Sequence, residues 1–245
     1  MNTTTEQTFS SKDAARQHVW DTLENEKAAR FPFPPHDRIP NFAGAKEAAQ
    51  RLMNSPAMED IESIKINPDA PQRYVREMAL RRGITVYMPT PRLRAGFKRF
   101  DPNAIPEDKY SEAASLSKGE QYAESISLER LPQMDLIVAG SVAVTADGKR
   151  CGKGHGYSDL EYAILLELGH KPVPVVTTVH PIQIAEDFPT EAHDIPLSLL
   201  VTPEEIIEVP NPPGAPARLE WSSLTEQDLE EMPVLRELKD QAYNG

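Results

Sequence analysis

The sequence predicts an α/β fold, a three-layer sandwich in which helices cover both faces of a mainly parallel sheet. Two observations support this prediction. Apolar segments alternate with amphipathic ones from residue 61 to residue 201. The apolar segments also lack the polar alternation of half-exposed strands, as expected for strands that are buried on both faces. With 245 residues, the chain is long enough to bury a large core of its own.

The local patterns place the elements in order along the chain. Residues 1–10 are polar and are expected to be disordered. Ser10 or Ser11 is expected to cap a helix that runs to about residue 30, where a proline-rich segment prevents its continuation. Gly83 is expected to end a later helix, and residues 98–133 are polar without a clear pattern. The predicted strands are 61–66, 84–88, 135–144, 174–179 and 197–201, and the further helices are 43–53, 71–82 and 158–169.

The chain is expected to divide into a main α/β domain over residues 11–209 and a C-terminal part over residues 210–245. The C-terminal part begins with a proline-rich linker at 210–217. An acidic helix from Ser223 to about Gln241 follows, and we expect it to pack on the outside of the domain.

Composition argues against several classes of protein. The formal net charge of −12 is unlike that of a general nucleic-acid binder. No apolar run reaches the roughly 18 residues that span a bilayer, and the polar N-terminus has no apolar signal core. We therefore expect a cytoplasmic protein with neither a nucleic-acid nor a membrane partner. The single cysteine excludes an intramolecular disulfide, and the histidines show no zinc-binding spacing. The sequence leaves the oligomeric state open.

A glycine-rich segment between the 135–144 strand and the 158–169 helix predicts an anion site. Its sequence is Asp147-Gly-Lys-Arg-Cys-Gly-Lys-Gly-His-Gly-Tyr-Ser-Asp159. Backbone amides at a helix start bind phosphates, and glycine permits a close approach. The segment is neither a Walker A loop, because Gly154 stands at the Ser/Thr position, nor a dinucleotide fingerprint, because Tyr157 stands at the third glycine. A nucleotide is the favoured ligand, and a glycine-rich turn used only for packing remains the alternative.

Side chains of this segment have alternative interpretations. Arg150 and Lys153 are predicted to bind phosphates with the amides of residues 152–157. For Arg150 the alternative is a salt bridge to a neighbouring acid. Asp159 either is favoured at the helix start by the helix dipole or holds Mg²⁺, and Tyr157 either stacks on a ligand or packs. We expect Lys149 to be a solvated turn residue and Cys151 to point inward.

A second loop, Pro89-Thr-Pro-Arg-Leu-Arg94, is expected to lie beside the glycine-rich segment. Ligands of open parallel sheets bind beyond the carboxyl ends of the strands, and both loops follow such ends. Arg92 and Arg94 could clamp a carboxylate or phosphate of a substrate, and the alternative is ordinary surface charge.

The pattern Gly148-x-Arg-x-Gly-x-Gly-x-Gly-Tyr-x-Asp159 resembles the signature loop of 5-formyltetrahydrofolate cyclo-ligases, which is usually Gly-x-Arg-Leu-Gly-x-Gly-x-Gly-Tyr-Tyr-Asp-Arg. The resemblance extends to Asp135-Leu-Ile-Val, Gln183, His193-Asp194 and Thr202, and to Lys12 and Arg16 near the N-terminus. Ser158 replaces the second tyrosine of the pattern, and Leu160 replaces the arginine. Three segments look more like a paralogous branch that is named after the cyclo-ligase or its synthase domain, namely Arg38-Ile-Pro-Asn-Phe42, Pro89-Thr-Pro-Arg-Leu-Arg94 and Gly156-Tyr-Ser-Asp-Leu-Glu-Tyr162.

The resemblance implies a fold like that of sugar-phosphate isomerases and CoA-transferases. It implies ATP- and Mg²⁺-dependent conversion of 5-formyltetrahydrofolate to 5,10-methenyltetrahydrofolate, so that the partner is a reduced folate or a related small anion. The implied catalytic residues are Arg150 and Lys153, and the implied metal ligand is Asp159. The implied ATP-binding residues are Lys12, Arg16, Arg150, Gly152, Lys153, Gly154, His155, Gly156, Tyr157 and Asp159. The implied substrate residues are Arg92, Arg94, Tyr157 and Ser158. A different formyl or acyl substrate, a non-catalytic binding protein, and an isomerase or transferase on the same fold remain alternatives.

Overall fold

The fold is described from a computed structural model, which defines residues 5–94, 96–214, 219 and 221–244. The helices are α1 (Lys12–Asn25), α2 (Ala45–Met53), α3 (Arg73–Arg81), α4 (Tyr110–Ala113), α5 (Tyr157–Glu167), α6 (Glu226–Glu231) and α7 (Pro233–Asn244). The strands are β1 (Thr5–Thr8), β2 (Ala29–Arg30), β3 (Asn41–Phe42), β4 (Ser63–Ile66), β5 (Thr85–Pro89), β6 (Phe97–Phe100), β7 (Glu124–Ile126), β8 (Leu136–Val138), β9 (Ala143–Thr145), β10 (Arg150–Cys151), β11 (Val175–Thr178), β12 (Ile184–Asp187), β13 (Leu199–Val201) and β14 (Ile206–Glu208).

An eight-stranded sheet forms the centre of the molecule, in the order β14-β13-β11-β8-β4-β5-β6-β7. The five strands from β13 to β5 are parallel, while β14, β6 and β7 pair antiparallel at the two edges. The predicted α/β class with a mainly parallel sheet is confirmed. Strand β7 and the short α4 lie within residues 98–133, where the sequence showed no clear pattern, and β6 overlaps the start of this range.

Helices cover both faces of this sheet, because successive strand residues point to opposite sides. Ile64, Ile66 and Val138 pack in one buried cluster with α2 and α3. Ile137 and Leu200 pack in the other cluster, with α5, α6 and α7. The result is the predicted three-layer arrangement.

The predicted strand 135–144 is wrong, because the chain changes sheets within it. Residues 136–138 form β8 of the large sheet, whereas residues 143–145 form β9 of a four-stranded sheet ordered β1-β12-β9-β10. Gly140 and Ser141 lie at the crossing, and both halves are buried. Hydropathy therefore cannot distinguish the two short strands from one long strand. The glycine-rich segment consequently contains part of the turn and the second strand of the antiparallel β9–β10 hairpin before it reaches α5.

The N-terminal prediction is wrong for residues 5–8, which form β1 and pair in parallel with β12. Residues 1–4 lie outside the described part of the chain. Ser11 caps α1 as expected, since its hydroxyl accepts a hydrogen bond from the amide of Ala14 at 3.1 Å. The helix ends at Asn25, before the predicted limit at residue 30.

The single C-terminal helix predicted at 223–241 is two helices. Pro233 has no amide hydrogen to continue α6, and Met232 before it has a non-helical φ of −123° and ψ of 81°. Leu229, Met232 and Leu235 are buried in the α5 cluster, so these helices belong to the main core rather than lying outside it. The predicted linker at 210–217 lies partly outside the described residues. No helix in the described ranges is long and apolar enough to cross a membrane.

Candidate functional site

A cavity of about 710 Å³ lies beyond the carboxyl ends of β4 and β5. The glycine-rich segment forms one wall from Arg150 to Asp159, and residues 88–92 form another. Lys12 and Arg16 of α1 line it as well. The prediction that the two loops face one crevice is confirmed. Its reason holds only for the loop after β5, because the glycine-rich segment reaches the crevice from the antiparallel β9–β10 hairpin of the smaller sheet.

The glycine-rich segment ends at the start of α5, where no side chain makes a capping hydrogen bond. Gly156 at the cap has a φ of +66°, and Gly154 has a φ of +101°. Both values lie in the region that glycine adopts without a steric penalty. An uncapped helix start beside a cavity is suited to an anion, since its first amides lack intrahelical partners.

Arg16 fixes the shape of this loop. Its Nε donates a hydrogen bond to the carbonyl oxygen of Gly152 at 2.6 Å, and its guanidinium also pairs with Asp13. The side chain is largely buried. Arg16 thus reaches the predicted loop from α1, but it acts on the loop backbone and contributes positive charge from behind it.

Two lysines, Lys12 and Lys153, place flexible, positively charged side chains at the crevice wall. Lys12 Nζ lies 2.6 Å from Asp194 and 2.7 Å from Glu191, and Lys153 Nζ lies 3.2 Å from Asp69. Burial lowers the pKa of Lys12, but its hydrogen bonds to Asp194 and Glu191 outweigh this effect and raise that pKa above its ordinary value. Lysine is a flexible point charge, so both ammonium groups can exchange a carboxylate for a phosphate.

For Arg150, the structure shows the salt-bridge alternative rather than a free phosphate ligand. Its Nε donates to the carbonyl oxygen of Gly140 at 3.1 Å, and its Nη1 lies 3.3 Å from Oδ1 of Asp159. The same oxygen accepts a hydrogen bond from the amide of Ile195 at 3.0 Å. Arg150 and Asp159 line the crevice but are buried. They hold the hairpin, the start of α5 and the Ile195 loop together.

The predicted metal ligand Asp159 therefore already accepts two hydrogen bonds. Among the described residues, one group of side chains could hold a metal, and it consists of Glu191, His193 and Asp194, whose ligand atoms lie within 4.8 Å of one another. These three residues line the same crevice, and Lys12 forms ion pairs with both carboxylates.

Tyr157 connects the site to the C-terminal helices. Its hydroxyl donates to Oε2 of Glu231 at 2.8 Å, and Nη1 of Arg92 lies 3.6 Å from the same oxygen. Burial, followed by the hydrogen bond to Glu231, raises the pKa of Tyr157. The ring also lies 5.7 Å from that of His155, between centroids.

The two predicted substrate arginines differ in position. Arg92 lines the crevice, where its backbone adopts a φ of +54° that is uncommon outside glycine. Arg94 is exposed and is not among the described residues that line the crevice. The structure therefore brings Arg92, but not Arg94, to the predicted site.

Two other residues of the hairpin have structural contacts. Lys149 is not simply solvated, because its Nζ lies 2.5 Å from Asp187 and the hydrogen bond to that carboxylate raises the pKa of Lys149. Cys151 points inward as expected, and burial raises the pKa of its thiol. A raised pKa leaves little thiolate, which is the reactive form.

Sequence reasoning missed a buried polar network in the crevice floor. Lys65 of β4 lies 2.5 Å from Glu161 of α5 and donates to Oδ1 of Asn67 at 3.0 Å. Nδ2 of Asn67 in turn donates to Oγ of Ser158 at 2.7 Å. The available signal was a lysine between two isoleucines of a strand, because a charged residue in a buried strand needs a partner.

Comparison with known proteins agrees with this geometry. The sequence model of the 5-formyltetrahydrofolate cyclo-ligase family matches residues 1–203. The chain belongs to this family. It is 39% identical over 237 residues to the methenyltetrahydrofolate synthase domain-containing protein of Mus musculus, covering 94% of this chain and 63% of that protein. The bovine protein of the same name is also 39% identical, over 238 residues, covering 94% of this chain and 62% of that protein.

The chain thus spans about three fifths of the length of these two relatives. Among solved structures, the 5,10-methenyltetrahydrofolate synthetase of Aquifex aeolicus superposes with a TM-score of 0.53 at 17% identity, covering 87% of this chain and 99% of that one. The fold of this cyclo-ligase family member is therefore the expected one. The family match ends before α6 and α7, so the helices that supply Glu231 lie beyond it.

Proposed function

We propose that this protein uses ATP to convert 5-formyltetrahydrofolate to 5,10-methenyltetrahydrofolate, with release of ADP and phosphate. The observation that supports this proposal most directly is the crevice itself. A glycine-rich loop at an uncapped helix start faces a cavity with Lys12, Arg16 and Lys153 around it. Membership of the cyclo-ligase family supplies the reaction class.

The lysines and the helix-start amides of this part of the crevice suit the phosphates of ATP. The amides of residues 152–157 and the ammonium groups of Lys12 and Lys153 would hold them, while Arg16 and Arg150 keep the loop in place and contribute positive charge. Phosphate oxygens would replace Glu191 and Asp69 as partners of the two lysines. His155 and Tyr157 line the same wall.

Mg²⁺ bound with ATP would neutralise part of the phosphate charge. Asp159 remains the predicted ligand, although its Oδ1 already accepts two hydrogen bonds. The carboxylates of Glu191 and Asp194 offer oxygen ligands of the type that Mg²⁺ prefers in the same crevice.

The proposed reaction proceeds in two displacements. The formyl oxygen attacks the γ-phosphorus, the bond from that phosphorus to the bridging oxygen breaks, and ADP leaves. N10 then attacks the activated formyl carbon and loses its proton, and the carbon–oxygen bond breaks to release phosphate. No protein nucleophile is needed, since such chemistry depends on positioning and on neutralising charge. Arg150 and Lys153 are the proposed residues for charge neutralisation.

The direct test is to incubate the protein with ATP, Mg²⁺ and 5-formyltetrahydrofolate and to follow the methenyl absorbance band and ADP release. We expect both products to form together and only when ATP is present. Folded protein that forms no methenyl product would contradict the proposed substrate.

Two lysines of the same loop provide a matched pair of variants. Lys153→Ala removes a charge from the crevice wall and should weaken ATP binding by roughly ten- to a hundredfold, as expected for a lost charged hydrogen bond of about 1.5–3 kcal/mol. Lys149→Ala removes a lysine that pairs with Asp187 away from the crevice, and it should leave ATP binding unchanged. Equal effects of the two substitutions would argue against the proposed phosphate site.

A second candidate function keeps ATP and changes the other substrate to a different formyl or acyl compound. Ser158 favours this alternative, because it stands where the cyclo-ligase pattern has tyrosine and it lines the crevice. ADP release stimulated by such a compound, but not by 5-formyltetrahydrofolate, would distinguish the two functions. Thermal stabilisation by both ligands without turnover would instead identify a binding protein.

A further inference from the structure

The floor of the crevice carries a polar chain that ends in Ser158. Lys65 is buried against α5, with Glu161 on one side and Asn67 on the other. Asn67 joins this pair to Ser158, and three of the four residues line the crevice, namely Asn67, Ser158 and Glu161.

The chemistry of this chain fixes the direction of each hydrogen bond. An ammonium group can only donate, so Asn67 must turn its Oδ1 toward Lys65. The amide nitrogen of Asn67 then faces Ser158 and donates to its oxygen. Ser158 must accept this bond through a lone pair, which leaves its own hydroxyl hydrogen to be donated elsewhere. The end of the chain at the crevice is therefore a donor.

The positive and negative charges of this network balance, whereas the wall formed by the glycine-rich segment and Lys12 carries an excess of cationic side chains. Glu161 offsets Lys65 at 2.5 Å, and the donors that reach the crevice, Ser158 and Asn67, are neutral. A neutral donor suits a neutral acceptor such as a carbonyl oxygen, whereas the lysines of the loop suit phosphates. The crevice thus combines a cationic end with a neutral donor end.

The Ser158 hydroxyl lies near the place where the formyl oxygen must react. Ser158 is the second residue of α5, whose uncapped start is the proposed phosphate site. An acceptor that reaches the Ser158 hydroxyl lies beside the phosphates. In the proposed reaction, the formyl oxygen is the acceptor that must approach the γ-phosphate.

We infer that Ser158 and Asn67 form a subsite for the formyl oxygen of the second substrate, with Lys65 and Glu161 as positioning residues that set the direction of the amide. This inference rests on the proposed function. It identifies the substrate class as an N-formyl compound, and it assigns to the serine at the tyrosine position of the family pattern the role of holding the carbonyl group.

The test compares two folates that differ at this group. 5-Formyltetrahydrofolate has the carbonyl oxygen, while 5-methyltetrahydrofolate keeps the ring system without it. Binding is measured by calorimetry with a non-hydrolysable ATP analogue present. We expect the wild-type protein to prefer the formyl compound by roughly two- to tenfold, since one hydrogen bond is worth about 0.5–1.5 kcal/mol. Ser158→Ala should lose most of this preference by weakening formyl binding only. Ser158→Thr keeps the hydroxyl and should restore the preference.

A second variant tests whether Lys65 and Glu161 set the direction of the Asn67 amide. The double substitution Lys65→Met with Glu161→Leu removes both charges and frees the Asn67 amide to turn over. We expect the folded double variant to bind the ATP analogue normally and to lose the preference for formyl over methyl. A preference that survives in this variant would overturn the positioning role.

The remaining outcomes separate this inference from the proposed function. Wild-type turnover together with an unchanged formyl preference in Ser158→Ala overturns the subsite and leaves the function standing. Binding of the ATP analogue with no binding of either folate overturns both the proposed substrate and the subsite.

Discussion

Two ion pairs of equal length predict very different effects on stability. Nζ and the carboxylate oxygen lie 2.5 Å apart in both Lys65–Glu161 and Lys149–Asp187. The side chains of the first pair are 1% and 8% exposed, and those of the second are 23% and 49% exposed. Burial is therefore the main difference between them.

Replacing Lys65 by Met leaves the Glu161 carboxylate buried without its counter-ion. Breaking a buried pair in this way costs about 3–5 kcal/mol, a large part of the roughly 5–15 kcal/mol that stabilises a typical protein. Replacing Lys149 by Met should cost less than about 1 kcal/mol, because water already solvates the pair. Removing both buried charges with Lys65→Met and Glu161→Leu should change stability little or increase it, since no charge is left buried.

The dependence on pH follows from the direction of the Glu161 shift. Burial raises the pKa of Glu161, although Lys65 opposes this effect. A folded-state pKa above the unfolded value means that the folded protein binds more protons, so stability falls as pH rises through this interval. The Lys65→Met variant loses the opposing charge. Its destabilisation should be largest at neutral pH and should shrink as pH falls toward about 4.3, the ordinary pKa of glutamate.

The assay is urea unfolding followed by circular dichroism at several pH values, with thermal unfolding as a second measurement. At about 2–4 °C per kcal/mol for a chain of this size, Lys65→Met should lower Tm by roughly 6–20 °C. Equal losses for Lys65→Met and Lys149→Met would refute the reasoning. A double variant as unstable as Lys65→Met would refute it as well.

Three further predictions concern the crevice and its surroundings. Glu231→Gln removes the charge that pairs with Arg92 and leaves Arg92 available to the substrate. KM for 5-formyltetrahydrofolate should therefore fall by roughly two- to fivefold, which is the equivalent of an exposed ion pair. An unchanged KM would contradict this prediction. Gly154→Ala strains a backbone with a φ of +101°, and it should weaken ATP binding, measured by calorimetry, about tenfold. The control is Gly83→Ala, at a φ of +78° with no atom close to the added methyl group. This control should lower the free energy of unfolding by about 1 kcal/mol and leave ATP binding intact. The hydrogen bond from Lys12 lowers the pKa of Glu191, so this contact stabilises the fold above the ordinary pKa of about 4.3 and is lost as pH falls through the lowered folded-state pKa. The protection of α1 amides against hydrogen exchange, corrected for the intrinsic exchange rate at each pH, should then fall at low pH, and Glu191→Gln should abolish that pH dependence.

The order of helices and strands could largely be predicted from the sequence, because it depends on local patterns. Ser11 caps α1 through a neighbouring amide, and Gly83 follows α3. The shared crevice was predicted too, but the glycine-rich segment reaches it from the antiparallel β9–β10 hairpin and not from the end of a parallel strand. The family resemblance rested on the spacing from Gly148 to Asp159, which is also local.

Hydropathy alone could not predict where the chain crosses from one sheet to the other. Residues 135–144 are apolar throughout, and both β8 and β9 are buried, so the pattern does not show where one strand ends. A local signal for the hairpin was nevertheless present. Asp147-Gly148 after a short apolar segment is typical of a tight β-turn, and β10 does pair back on β9.

The roles of charged residues could be predicted less well than their location. The sequence placed Arg150, Lys153 and Asp159 in the crevice wall, and each of them lines it. It could not show that Arg150 pairs with Asp159 or that Arg94 is not among the described residues that line the crevice. Such contacts depend on which side chains meet after the loop has folded.

The sequence by itself determined the α/β class, the positions of most elements and the glycine-rich loop, because each depends on residues close together in the chain. Only the tertiary structure decided the floor of the crevice. Lys65 and Glu161 are separated by 96 positions, and they meet because β4 turns Lys65 toward the face that α5 covers. Burial then favours pairing of the two charges. Lys65 also donates to Oδ1 of Asn67, so the amide nitrogen of Asn67 faces Ser158.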